Sequence, residues 1–573
     1  MADSNSSGDE HSTHRRESSN AGTLSIDSKE NLPISPDSPQ PAHTHSRDDT
    51  GPDDEKSAGI IDLSPTASRQ VAVPIPRSER RGFFPFLCLI PEVDQPYNLS
   101  SSSKWGITSI VALAAIAAPM GSAIFYPCLD AISIDLHVSK SVVNISLAVY
   151  LLSMSIFPLW WSSFSETMGR RNIYLVSFTL NTIFTIACGF SQTIGQLIAF
   201  RVFAGGASAS VQAVGAGTIA DIWESRQRGR AMGIFYLGPL CGPLLAPIIG
   251  GALTGPFGWR STMWFLAVFG AVIALLVLLL LPETLPRRRQ EQAIISTLSS
   301  TNVNTIPVTT EDSTALSRVS TRASAVQART KLIGVWLKRA LIDPLSIIKL
   351  MRFPAIALIV SYAAITFGSL YVLNICMQAA FGAPPYDYSP LIVGLLYIPS
   401  SLGYFIASLL GGPWIDRIME REARKAGRFD ARGELVRYPE DRMKENAWIS
   451  ATMFPAALIW FGWSVQHHLI WIVPAIAQFF FGAGSMLVFS MATTMLTEFM
   501  PRKASNGVAL NNFVRNILSA TGTVITQPLI DLIGVGWLCT AVALIAFVGG
   551  NVCLVLVMRN SQKWRVKMNE QME

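Results

Sequence analysis

The chain has 573 residues, half of them hydrophobic and only 15% charged, and its mean hydropathy is +0.36. Soluble domains carry roughly a quarter charged residues, so the length is better filled by repeated long apolar runs than by several soluble domains. The formal net charge of +6 comes without a basic stripe interleaved with aromatics, which argues against a nucleic-acid partner and for Lys and Arg gathered in loops on one side of a bilayer.

Residues 1–80 are rich in Ser, Pro, Asp and Arg and cannot bury enough apolar surface to fold. They are expected to be a disordered cytoplasmic tail, with the Ser-Pro pairs of SPDSPQP and DLSPTAS as candidate phosphorylation sites. The opening residues lack the apolar core of a secretory leader, so the first membrane helix is expected to act as the insertion signal. A pre-membrane segment, 81–104, follows. Its RRGFFPFLCLIP stretch is too short to span and suits the lipid interface.

A crossing helix needs roughly 20 mostly apolar residues. Six such runs form a first half within 105–282, at about 105–126, 142–163, 172–190, 195–220, 230–254 and 261–281. A polar linker loop spans 283–352. Six more runs form a second half within 353–558, at about 354–380, 390–412, 447–466, 469–496, 504–530 and 537–558, with a loop at 413–446 and a tail at 559–573. If the N-terminus lies inside, the loops MGRRN, ESRQRGR, 283–352, 413–446 and PRKAS and the C-terminal tail all fall on the inner side, and all are basic. The outer loops carry only Lys140 and Arg260. This asymmetry predicts cytoplasmic termini and an even number of spans.

The halves look related: IAFRVFAGGASA of span 4 matches IAQFFFGAGSML of span 10, and the two segments end at Asp221 and Glu498. The predicted fold is all-α, with twelve transmembrane helices in two pseudo-symmetric six-helix bundles. The seven cysteines are scattered and form no C-x-x-C pair, so neither a metal nor a cofactor is expected.

Several local patterns carry chemistry. The loop after span 2 reads Ser162-Ser163-Phe164-Ser165-Glu166-Thr167-Met168-Gly169-Arg170-Arg171, an acid beside a helix end followed by two cations. With Asp416 and Arg417 of GGPWIDR after span 8, it could latch the halves; the plain alternative is a basic inner loop. Arg201 in span 4 is a guanidinium inside an apolar helix, which normally faces a cavity or a partner. Gln212 lies three turns further on along the same face. Span 5, GIFYLGPLCGPLLAPIIGG, places Gly238 and Gly242 four apart, and likewise Pro239, Pro243 and Pro247, before Gly250 and Gly251. Small residues at that spacing let helices approach closely, and the prolines remove backbone bonds along one stripe.

Together with Trp259-Arg260 and Leu281-Pro282-Glu283-Thr284, these motifs resemble the major facilitator superfamily. More narrowly, they resemble the fungal 12-span drug:proton antiporters, the branch with quinidine-resistance, dityrosine and citrate exporters. The likeness covers about 105–558. Two positions depart from the loop motif, Ser162 at its leading Gly and Thr167 at its middle Arg. The resemblance implies alternating access, proton antiport, a role for Arg201 in proton coupling, and export rather than import from the Gly-Pro run of span 5.

Solute sites in such folds lie near the midplane between the halves. Span 11 carries a polar stripe of Asn512, Arg515, Asn516, Ser519, Thr523 and Gln527. Span 7 adds Tyr371, Asn374 and Gln378, and span 8 adds Tyr397 and Tyr404. The candidate solute ligands are Arg201, Gln212, Asn374, Gln378, Tyr397, Asn512, Arg515 and Asn516. With two in-span cations and no equally deep acid, the chamber suits an anionic or zwitterionic solute, such as an organic acid or secondary metabolite; a broad multidrug exporter is the neighbouring possibility. Proton-coupling candidates are Asp130, Arg201 and Asp221. Asn144 opens an Asn-x-Ser glycosylation pattern on the outer side. An ATP-driven pump lacks its phosphate loop, an enzyme lacks clustered catalytic side chains, and a nutrient sensor that keeps the fold without transport remains a rival. The expected partners are a small-molecule solute, protons and the bilayer. The chain is expected to be a monomer in the plasma membrane, with the vacuolar or a vesicle membrane as alternatives.

Overall fold

The computed structural model describes residues 74–286, 343–429, 435–436, 438–499 and 504–572. The chain divides into Met1–Ser68 and Arg69–Glu573, and the described residues all belong to the second unit. The candidate phosphorylation sites and most of the 283–352 linker lie outside them.

Among the described residues, eleven helical runs are long and apolar enough to cross a membrane. They are α1 (Ser101–Asp135), α2 (Lys140–Met168), α3 (Arg170–Gly189), α4 (Ile194–Ile222), α5 (Arg230–Phe257), α6 (Arg260–Leu280), α7 (Pro354–Phe381), α8 (Pro390–Lys425), α9 (Glu445–Gln466), α10 (Ile472–Thr497) and a last run, Asn506–Met568. The last run is two spans, because Gly534, at φ 77° and ψ 167°, breaks it. Glycine alone adopts such a backbone without strain. The break separates α11 (506–533) from α12 (535–568) and completes the twelve spans read from the sequence.

Local chemistry sets the ends. Ser100 and Thr193 cap α1 and α4 by accepting the N–H groups of Ser103 and Gln196. Pro354 and Pro390 open α7 and α8, where a missing N–H costs nothing. Pro239, Pro243 and Pro247 are carried inside a continuous helix. α1 is interrupted at Ile116 and passes through a tight turn at Tyr126–Cys128. α8 extends thirteen residues beyond its expected end, to Lys425, because the amphipathic stretch after Gly412 continues the helical pattern.

The helices pair in two matching sets. In the first half α1 packs on α5, α2 on α4, and α3 on both α4 and α6. In the second, α7 packs on the α11–α12 run, α8 on α10, and α9 on both α10 and that run. Each contact of the first set has its counterpart six helices later, as a duplicated bundle requires. The halves meet where α5 touches α8 and where α2 lies along the α11–α12 run. An even number of crossings returns the chain to the side it left, so one face, the tail side, carries both ends of the bundle; the other is the far side.

The pre-membrane residues fold back on the first half. The Ile75 N–H donates to Glu92 O at 2.9 Å, and the Leu89 N–H to Leu279 O at 2.8 Å. Arg81 pairs with the buried Glu92 at 2.7 Å and donates to Leu285 O at 2.7 Å. Residues 74–80, read as the end of the tail, are therefore part of this packed base.

Candidate functional site

The far-side halves of α1, α7 and α8 converge on aromatic rings. Tyr126 of α1 stacks on Tyr397 of α8 at 5.5 Å and lies 6.4 Å from Tyr371 of α7. The Tyr397 hydroxyl donates to Asn374 O at 2.9 Å. The row continues toward the tail side through Phe367, 5.8 Å from Tyr371, to Phe489 of α10 at 6.2 Å. Further out, Asp130 bridges the halves: its carboxylate meets Lys140 at 2.6 Å and accepts from Gln378 of α7 at 3.3 Å. The two halves are thus closed against each other at the far side.

Arg515 lies at the inner end of this row. Its guanidinium sits 4.0 Å from the Phe367 ring and 4.8 Å from that of Phe489. Its Nε is buried without a hydrogen bond, and among the described residues no carboxylate pairs with it. A ring face holds a cation by its quadrupole but leaves the N–H groups unsatisfied. The next residue in the chain, Asn516, is 2% exposed with its amide nitrogen unsatisfied. Ser519, Thr523 and Gln527 are buried as well, so the polar stripe of α11 turns into the protein and away from lipid. Gln212 and Gln378 each carry one buried amide oxygen with no partner. Orphaned polar atoms of this kind are rare in packed interiors.

Arg201 is enclosed in the first half and is 2% exposed. It donates to Ser146 O of α2 at 3.2 Å and Gly121 O of α1 at 3.1 Å. The Phe125 ring covers it at 3.6 Å and Tyr150 lies at 4.6 Å. Phe125 and Tyr126 are neighbours in the chain, yet one faces Arg201 and the other the second half. The two cations that the sequence placed in one chamber thus rest against different rings, Arg201 on Phe125 and Tyr150 and Arg515 on Phe367 and Phe489.

The contacts of Arg170 and Arg171 lie within the first half. Arg170 pairs with Asp221 of α4 at 3.1 Å and also donates to Ser165. Glu283, just beyond α6, accepts the first backbone N–H groups of α3, from Arg170 at 2.9 Å and Arg171 at 3.2 Å. Its place at a helix N-terminus satisfies donors that the helix leaves free. The Arg171 guanidinium runs the other way and caps the end of α6 at Val277 O, Leu278 O and Leu281 O, while also holding Phe83 O and Phe84 O. Gly169 has φ 95°, and a side chain there would collide with Glu283. Glu166 is exposed and has no ion pair among the described residues; Asp416 and Arg417 are exposed at the tail-side end of α8.

The glycines of α5 divide between two neighbours. Added Cβ atoms at Gly238 and Gly250 would strike the backbone of α1, at Ala112 O and Ile124 O, and one at Gly242 would strike Pro119. At Gly251 it would strike Pro390 O of α8, and α8 returns the contact through Gly394 against Pro247 O. The Gly-Pro stripe therefore carries both the α1 packing and the far-side join between the halves.

Asn144, at the head of the Asn-x-Ser pattern, is 1% exposed inside α2. Other features left no sequence signal: Phe367 and Phe489 read as ordinary core aromatics, and Tyr126 as part of an apolar run. Glu283 was visible as an acid directly after a span, a position suited to capping a neighbour.

The Major Facilitator Superfamily profile matches residues 111–523. The chain is 35% identical to the MFS antiporter QDR3 of Candida albicans, over 87% of this chain and 84% of that protein. It is 31% identical to quinidine resistance protein 3 of Saccharomyces cerevisiae, over 86% and 87%, and 29% identical to citrate exporter 1 of Aspergillus niger, over 76% and 82%. Among solved structures, the D-xylose-proton symporter aligns with TM-score 0.55 at 14% identity, covering 79% of this chain and 97% of that one. The human organic anion transporter MFSD10 aligns with TM-score 0.52 at 13% identity, covering 78% and 99%. Both share its fold. The chain is a multi-pass membrane transporter and belongs to the Major Facilitator Superfamily.

Proposed function

We propose that the protein exports a small organic anion or zwitterion in exchange for protons, by alternating access. The observation that carries the solute's charge is Arg515: a guanidinium within the second half, held by two rings, with no carboxylate partner among the described residues. An incoming carboxylate would supply the hydrogen bonds that Phe367 and Phe489 cannot, and Asn512, Asn516, Gln212 and Asn374 are the further polar ligands we propose for the solute. The relatives named for antiport, quinidine resistance and citrate export support the direction of transport. The row from Tyr397 to Phe489 favours a second reading, a broader exporter of flat, apolar compounds.

Asp130 is the proposed proton site. Neutralising it would weaken both the Lys140 and the Gln378 contacts and release the far-side closure. Asp221, paired with Arg170, is read as a brace. The tail side is assigned to the cytoplasm by its Lys and Arg content, and the chain is taken as a monomer in the plasma membrane.

Inverted membrane vesicles with an imposed pH gradient test this. Uptake of citrate, used as the anionic probe, should fall at least about tenfold in Arg515→Ala, the loss of one charged hydrogen-bonded contact. Uptake of an uncharged drug should change little. Equal loss of both would overturn the anion reading and favour the broad exporter.

A further inference from the structure

The geometry points to a resident monatomic anion, of the size and charge of chloride, bound beside Arg201 inside the first half and separate from the solute chamber. A cavity of about 20 Å³ opens there, lined by Arg201, Asn181, Thr185, Tyr150, Cys188 and Met263 among others. A water molecule needs roughly 10–15 Å³ of such space, so the cavity accepts one small particle and no organic solute. Its polar walls are unsatisfied. Asn181 is 6% exposed and Thr185 4%, and neither side chain makes a hydrogen bond among the described residues. Both supply donors to the space that Arg201 also borders.

The charge argument decides what fills it. A buried guanidinium is strongly unfavourable unless it is paired, and its cost is greater at membrane depth. Arg201 has two carbonyls and two ring faces, which are partial charges only. The ionisable groups around it are Cys128, Cys188 and Tyr150, thiols and a phenol that are uncharged at neutral pH. No acid reaches it from α1, α2, α3, α4 or α6 among the described residues. An anion in the adjoining cavity completes the charge pair and gives the Asn181 amide and Thr185 hydroxyl an acceptor. Water would satisfy the hydrogen bonds but leave the charge uncompensated.

The test uses the full-length purified protein in detergent, titrated with sodium chloride or sodium bromide, with sodium gluconate holding ionic strength constant. Gluconate is too large for the cavity. A ligand bound only by the folded state raises the melting midpoint, so both halides should give a saturable rise that gluconate does not. Asn181→Leu combined with Thr185→Val keeps side-chain volume while removing both donors. It should raise the half-maximal halide concentration at least about tenfold, as expected for lost hydrogen bonds to a charged ligand. Coincident halide and gluconate curves in the wild type would mean that water alone fills the cavity and would overturn the proposal. So would a halide-specific rise that persists unchanged in the double variant.

Discussion

Arg170 and Asp221 form an ion pair at 3.1 Å, with side chains 7% and 1% exposed. The pair joins the start of α3 to the end of α4 within one half. Removing one member of a buried pair leaves an uncompensated charge and typically costs about 3–5 kcal/mol. Asp221→Asn should therefore lower the melting midpoint of the purified protein sharply. Arg170→Gln on top of it should cost little more. An additive loss across the double-mutant cycle would show that the two side chains act independently.

Glu283 gives stability a pH dependence with a defined sign. Burial pushes its carboxyl above the ordinary value of about 4.5, while the N–H groups of Leu285 and Arg170 pull it down less strongly. A carboxyl whose folded pKa is raised binds protons more tightly when folded. Its favourable contribution is complete below the unfolded pKa and is lost as pH rises through the folded one. Melting curves from pH 4.5 upward should show a decline in the wild type that is flattened in Glu283→Gln. Parallel pH profiles for the two proteins would refute the assignment.

The far-side join predicts a position-specific block. Gly251→Val places a branched side chain against Pro390 O and should hold α5 away from α8. Transport should fall more than about tenfold, since the cycle needs both closed forms, while the protein still reaches the membrane. Gly106→Val and Gly255→Val meet nothing within 4 Å and serve as controls. Far-side cysteine labelling reads the outcome: more labelling behind the join in Gly251→Val is expected, and an unchanged pattern would count against it.

Asp130 carries the prediction for coupling. Asp130→Asn keeps an acceptor for Gln378 but removes the charge facing Lys140. Solute counterflow without a pH gradient should persist in the variant, whereas acceleration by the gradient should disappear. Intact acceleration would exclude Asp130 as the proton site.

Much of the architecture was legible because membrane spans announce themselves by length and hydropathy. Across 504–558 the sequence reads as two runs, 504–530 and 537–558, and in the structure a glycine alone, Gly534, divides two helices that are otherwise continuous. The small residues of α5 were also readable, since close helix approach needs a repeated spacing. The location of Arg201 was not. Sequence periodicity places a residue on a face of its own helix but does not say which neighbour covers that face. Phe125, the residue that walls it off, carries no signal beyond being apolar. Likewise Arg170 and Arg171 were visible as cations in a loop, but their partners Asp221, Glu283 and the carbonyls closing α6 lie dozens of residues away.

The back-to-back setting of Phe125 and Tyr126 has a mechanical consequence. A single peptide unit separates the residue whose ring rests on Arg201 from the residue whose ring stacks on Tyr397. If the halves swing apart at the far side and Tyr126 leaves its stack, any displacement of its backbone reaches the Phe125 ring on Arg201 across that one peptide. Opening of the interface would then be felt at the first half's own buried charge, with one turn of α1 as the lever between them.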